Sequence, residues 1–204
     1  MPKTISEFEI INIIPDYDTT IQYPDYERGL ILRSDMEVML RLLRATHSKN
    51  IFEFGTWAGK TTRILSLYLD YVYTLDIDKE SADLSELSKD QIMELSNHND
   101  IGHWYKGRDN IKQFYGNCYD ADVMKFVRNS IGKQVDSCFI DANHNFVPVL
   151  SDSLQARAMV KSGGLIMWHD VKDDPSVGVI KALEILPFTV YHVDGSWIGF
   201  CIND

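Results

Sequence analysis

The stretch EFGTWAGKTT, Glu53 to Thr62, decides the fold. It joins an apolar run, Ile51 to Phe54, to a segment, Lys60 to Leu69, that reads as a helix. A strand, a glycine turn and a helix open a β-α-β unit, and in doubly wound sheets ligands bind beyond the carboxyl ends of the strands. Glycines there let the backbone turn tightly and approach a ligand. Three patterns compete for this turn. A phosphate-binding loop needs G-x-x-x-x-G-K-[ST]; Gly59-Lys60-Thr61 supplies its end, but the first glycine would fall on Phe54. A dinucleotide fingerprint needs G-x-G-x-x-G, and Trp57 and Lys60 stand where its second and third glycines belong. The pattern that remains is E-x-G-x-x-x-G, from Glu53, Gly55 and Gly59.

Working outward, Val72 to Leu75 reads as the next strand and ends in Asp76. An acid at that tip can accept both ribose hydroxyls of a bound adenosine, or it can be a plain turn residue, as can Asp78. A polar helical region follows from Ser81 to Asn97, then a loop from Asn97 to Asn110. Strands return at Ile111 to Tyr115, Val135 to Ile140 and Leu165 to Trp168, with helices at Ala121 to Asn129 and Val147 to Lys161. The second helix is expected to end at Gly163-Gly164, where glycine suits a left-handed cap. A last helix, Val177 to Leu186, stops before Pro187. Phe188 to Val193 and Trp197 to Ile202 then flank Asp194-Gly195-Ser196, a hairpin signal. Upstream, Ser34 with Glu37 three residues later reads as a capping box opening a helix, with Met36, Met39, Leu40 and Leu43 at helical spacing. Residues 1–33, broken by Pro15 and Pro24, read as an N-terminal arm to one domain over 34–204. The fold class is α/β: a doubly wound, mostly parallel sheet with a C-terminal antiparallel hairpin.

Composition narrows the partners. Thirty acidic against 20 basic residues give a formal charge of -10, which repels phosphate backbones and disfavours nucleic acid. With 45% hydrophobic and 25% charged residues the chain reads as globular. No apolar run approaches membrane-spanning length, and the first residues lack the pattern of a secretory signal. Cys118, Cys138 and Cys201 are odd in number and have no metal-like spacing. Cys138 and Cys201, each in an apolar run, read as reduced core thiols in a reducing compartment, so a cytoplasmic location is expected.

Two later strand ends carry polar clusters: Asp141-Ala142-Asn143-His144 after Val135 to Ile140, and His169-Asp170 after Leu165 to Trp168. Both should emerge on the same sheet edge as the glycine turn, where Asp and His side by side suit a catalytic or metal site. Taken together, these segments resemble the class I S-adenosylmethionine-dependent methyltransferases, in a small-molecule branch with IDxxH and GGxIxxHD strand ends. The resemblance covers residues 34 to 202 and implies a seven-stranded Rossmann-like sheet with S-adenosylmethionine as methyl donor. It implies donor contacts from Glu53, Gly55, Thr56, Trp57, Gly59 and Thr61 at the turn, Asp76 and Ile77 at the ribose, and Asn117, Cys118 and Tyr119 beside the adenine, with Asp141 nearby. The family more often has an acid where Asn117 stands. It also implies a divalent cation, manganese, magnesium, iron or zinc, on Asp141, His169 and Asp170; family members usually carry a carboxylate where His169 stands, and the imidazole favours a softer ion than magnesium.

The chemistry that follows is methyl transfer to a small-molecule acceptor. Asp141, His144 and His169 suit deprotonating a hydroxyl, of a sugar or a phenol-like compound, either by a histidine base or on a metal. Asp152, on the helix after His144, reads as a solvated or capping acid. Acceptor contacts would come from the arm and from the Asn97 to Asn110 loop, whose Tyr17, Tyr23, Tyr26, Trp104 and Tyr105 can stack on a ring, pack internally or form a homo-oligomer contact. The rival functions are a non-catalytic binding protein of the same fold and an NTP-binding enzyme using Gly59-Lys60-Thr61.

Overall fold

The computed structural model describes residues 1–23, 31–78, 101–174 and 176–204. Its strands are β1 (Lys3–Ile5), β2 (Asn50–Phe54), β3 (Tyr71–Asp76), β4 (Ile111–Tyr115), β5 (Val135–Ile140), β6 (Val160–Trp168), β7 (Tyr191–Val193) and β8 (Gly199–Ile202). Its α-helices are α1 (Arg33–Ala45), α2 (Lys60–Tyr68), α3 (Ala121–Ile131), α4 (Phe146–Met159) and α5 (Val179–Glu184). The strands form one sheet in the order β1-β7-β8-β6-β5-β2-β3-β4. Among the described strands only β8 runs against its neighbours, pairing antiparallel with β6 and β7. The seven strands expected become eight, because the arm supplies β1, which pairs parallel with β7. The helical region expected at Ser81 to Asn97 lies outside the described residues, as do Tyr26 and the start of the following loop.

Strand alternation sorts the core into two layers. Ile51, Val72, Phe139, Leu165 and Met167 face α1, α2 and the arm. Phe52, Phe54, Leu75, Cys138, Ile140, Ile166 and Trp168 face α3, α4 and α5. The central strands β2 and β5 and the second half of β6 are buried on both sides, as a covered parallel sheet requires, while β1 and β4 at the edges are partly exposed. The arm belongs to the first layer. Ile5, Ile10, Ile14, Tyr17 and Tyr23 are buried in it. A partly buried polar cluster ties it to α1: Arg41 pairs with Glu7 at 2.7 Å and donates to the Ile21 carbonyl, and the Tyr17 hydroxyl donates to Glu7 at 2.6 Å.

Three local expectations change. The helix cap at Ser34 is replaced by a start at Arg33 after Leu32, with no side-chain cap. Glu37 does not reach back because Arg33 and Arg41 hold its two oxygens, at 3.0 and 3.3 Å. Gly163-Gly164 does not end α4, which gives way to β6 after Met159. The pair instead serves an irregularity where β6 passes β5: Gly163 has φ +74°, and a Cβ on Gly164 would press on the Asp136 carbonyl. Asp152 is neither solvated nor a cap but fully buried on α4.

Candidate functional site

Four backbone hydrogen bonds run along the carboxyl edge of the parallel strands. Gly116 N–H donates to Asp76, Gly55 to Leu75, Asp141 to Phe54 and His169 to Ile140. They bring the ends of β4, β3, β2, β5 and β6 into one row, so the polar clusters do share an edge with the glycine turn.

At the centre, Gly55 has φ +91°. A Cβ there would collide with the Asp141 carbonyl and stand 2.8 Å from the Ala142 Cα. Glycine is therefore required by the approach of β5, not only by room for a ligand. Gly59, φ +84°, opens α2, and a Cβ on it would lie 2.9 Å from the Gly102 Cα. That contact belongs to a second layer over the turn, where Gly102 N–H donates to Trp57 and Trp104 N–H to Ala58. Trp57 itself has φ +48°, a conformation uncommon for a bulky residue. Lys60 sits 5.0 Å from the Trp104 ring.

Glu53 is fully buried beneath the turn. Its Oε2 accepts from the hydroxyls of Thr62 and Thr74, at 2.6 and 2.7 Å. Its Oε1 has no hydrogen-bond partner among the described residues. Burial raises its pKa to about 8, against the two threonine hydroxyls, which favour the anion. A buried acid with one idle oxygen beneath a glycine turn fits a cationic ligand group such as the ammonium of an amino acid.

Asp76 is half-buried. Its Oδ2 accepts from the N–H groups of Thr56 and Trp57, at 2.8 and 2.7 Å, and its Oδ1 from Ile77 at 2.8 Å. These fill three of about four acceptor directions, so little capacity is left for ribose hydroxyls. Burial raises the Asp76 pKa, while the three N–H groups lower it. The Thr56 hydroxyl turns inward to Thr74 at 2.6 Å, and Thr61 lies next to the Thr62 that reaches Glu53. Beyond β4, the Asn117 side chain accepts from Tyr119 N–H and shapes its own turn. Cys118 lies beside Asp152, whose carboxyl oxygens have no hydrogen-bond acceptor or donor of good geometry among the described residues. Burial lifts the Asp152 pKa to about 7.

On the other side of Gly55, the residues expected to hold a cation, Asp141, His169 and Asp170, come together, and His144 joins the same two carboxylate oxygens. Ligand atoms of Asp141, His144 and Asp170 lie within 4.8 Å of one another. His144 Nε2 stands 3.3 Å from Asp141 Oδ1 and 3.1 Å from Asp170 Oδ2. His169 differs from His144 in being buried and in meeting a third carboxylate. Met167, Trp168 and His169 alternate, so the imidazole faces α1, where its Nε2 meets Asp35 at 3.3 Å. Its Nδ1 faces Asp170 at 3.2 Å and Asp141 at 3.4 Å. With carboxylates facing both nitrogens, the protonated ring is favoured when no cation is present. Burial alone would lower its pKa, but Asp141, Asp170 and Asp35 prevail and hold it at about 12. The Asp170 pKa is pushed far down: burial opposes this, but His169, His144 and Lys172 outweigh it. Asp170 also has φ +55°, a strained value of the kind that gathers at functional sites. The accessible histidine is His144, with 42% of its side chain exposed.

Of the rings expected to meet an acceptor, Tyr17 and Tyr23 are buried and hydrogen-bonded, to Glu7 and the Leu40 carbonyl, and serve packing. Tyr105 donates to Gln113 at 2.6 Å. The sequence reading missed Asp35, Thr62 and Thr74. Asp35 alone left a signal, since it is in step with Met39 and Leu42 on the apolar stripe of α1.

A family model described as a methyltransferase domain matches residues 52–171. No curated protein matches the sequence. Among solved structures, the chain is similar to an O-methyltransferase from Bacillus cereus in complex with S-adenosylhomocysteine, at 17% identity over 95% of this chain and 87% of that one, with a TM-score of 0.53. It is also similar to an O-methyltransferase from Streptomyces achromogenes in complex with S-adenosylmethionine, at 17% identity over 95% and 85%, with a TM-score of 0.54. At these identities the likeness is one of fold. No helix among the described residues is long and apolar enough to cross a membrane.

Proposed function

The chain belongs to the methyltransferase-domain family, and on that premise we propose that it transfers a methyl group from S-adenosylmethionine to a hydroxyl oxygen of a small molecule. The observation that carries this reading is the row of strand ends: Glu53 and Asp76 stand on one side of Gly55, and Asp141, His144 and Asp170 on the other. The first pair suits the charged and sugar parts of the donor, the second group a hydroxyl that must lose its proton.

S-adenosylmethionine supplies the reactive methyl group. The residues supply alignment: Glu53 meets the donor's ammonium, the Gly55 turn lets the donor lie against the backbone, and Asp76 offers its remaining acceptor capacity to the ribose. Holding donor and acceptor in line is worth up to roughly 7–11 kcal/mol of barrier in ideal cases. Asp141, His144 and Asp170 fit a divalent cation, which when bound lowers the pKa of an acceptor hydroxyl. One imidazole with two carboxylates suits manganese, iron or zinc better than magnesium. A second reading keeps the same residues without a metal: His144, within ion-pair reach of both carboxylates, takes the hydroxyl proton itself.

Calorimetry with S-adenosylhomocysteine, NAD and ATP tests the donor, and binding of the first alone is expected; ATP binding in its place would favour the nucleotide enzyme. Label transfer from methyl-labelled donor across a panel of phenols and sugars tests the acceptor class. Turnover lost in EDTA and restored by manganese supports the cation; indifference to EDTA supports His144 as base.

A further inference from the structure

We infer that Asp35 is a positioning residue for the Asp141–His144–Asp170 corner, acting through His169; this rests on the cation reading above. Asp35 lies in the first turn of α1 and is fully buried. Neither oxygen is idle: Oδ2 meets His169 Nε2 at 3.3 Å, and Oδ1 accepts from Trp197 N–H at 3.1 Å. The carboxylate is thus fixed from a helix, the end of β6 and the turn before β8. Its position at a helix N-terminus also favours the negative charge.

The consequence for the site is geometric. With Nε2 bound to Asp35, the imidazole has one orientation, and its Nδ1–H points between Asp170 Oδ2 and Asp141 Oδ1. These are the same two oxygens that face His144 Nε2. His169 therefore acts as a spacer that sets the two carboxylates at the separation His144 requires. Without Asp35 the ring can turn, and the carboxylates lose the donor that aligns them. Outer groups of this kind commonly change metal affinity about 10–100-fold when removed.

The test is a double-mutant cycle read by manganese titration in electron paramagnetic resonance, with S-adenosylhomocysteine calorimetry alongside. Asp35→Asn keeps the shape and can still accept from Trp197, but no longer offers an oxygen to both partners. It is expected to weaken manganese binding about tenfold or more, while S-adenosylhomocysteine affinity stays within about twofold, because the donor side is built on β2 and β3. The double variant Asp35→Asn with His169→Asn is expected to bind manganese no more weakly than His169→Asn alone. Asp35→Ser replaces Asp35→Asn in the cycle if the latter fails to fold. Wild-type manganese affinity in the folded Asp35 variant, or losses that add in the double variant, overturns the inference. A wild-type protein that binds S-adenosylhomocysteine but no manganese overturns the cation reading and this inference with it.

Discussion

At the residue scale, Glu53 and Asp76 make the sharpest predictions. The pKa of Glu53 rises from an ordinary 4.5 to about 8 on burial. A carboxyl group raised in this way stabilises the folded chain fully below pH 4.5 and loses that contribution as pH climbs to about 8. The donor-free protein should therefore melt lower at pH 8 than at pH 6, and Glu53→Gln should flatten that dependence; equal slopes in a melting series would refute the assignment. A donor ammonium favours the ionised acid, so binding near pH 7 should expel most of a proton. Calorimetry in two buffers of different ionisation enthalpy reads this directly, and a buffer-independent heat would separate Glu53 from the ammonium. Asp76→Asn should weaken S-adenosylhomocysteine by about 1.5–3 kcal/mol. Part of that loss comes from the Thr56 and Trp57 N–H groups that organise the turn. Unchanged affinity would remove Asp76 from the donor site. The places of Glu53, Gly55, Asp76 and Asp141 in the fold were legible because each lies at or just beside the end of an apolar strand run. Asp35 left only its place on the apolar stripe of α1, because its partners, the His169 ring and the Trp197 N–H, are far away along the chain.

Elements explain why the glycine turn tolerates so little. Gly55 separates β2 from α2, but the space it leaves open belongs to the end of β5. A side chain at Gly55 therefore costs packing as well as room for a ligand. Gly55→Ala combines a positive φ with contact against the Asp141 backbone, and should cost on the order of 1–3 kcal/mol of stability. It should also shift Asp141 and weaken manganese binding. A melting curve and a manganese titration on one sample check both, and a variant as stable as wild type would contradict the close approach. Strand positions were readable because continuous apolar runs end in polar clusters. Helix ends were less so. Glu37 had two arginines nearer than the helix N-terminus, and Gly163-Gly164 answered to a strand irregularity instead of a cap.

For the whole molecule, the arm is the part the sequence described least well. Its prolines and aspartates suggested irregular structure, yet it completes the sheet and one core layer, because Arg41 gathers Glu7 and the Ile21 carbonyl around itself. Arg41→Met should strand Glu7 and cost about 1.5–3 kcal/mol. Limited proteolysis should then cut within the first 23 residues well before the remainder; an unchanged digestion pattern would mean apolar packing alone holds the arm. The placement of β1 has its own consequence. β1 pairs with β7, far along the sequence, so during synthesis Lys3 to Ile5 must wait for Tyr191 to Val193 to emerge before their edge exists. Closing so long a loop is entropically costly and slow. A growing chain would thus carry β1 unpaired while β2 to β6 already lie side by side, and this edge of the sheet would close only once β7 arrives.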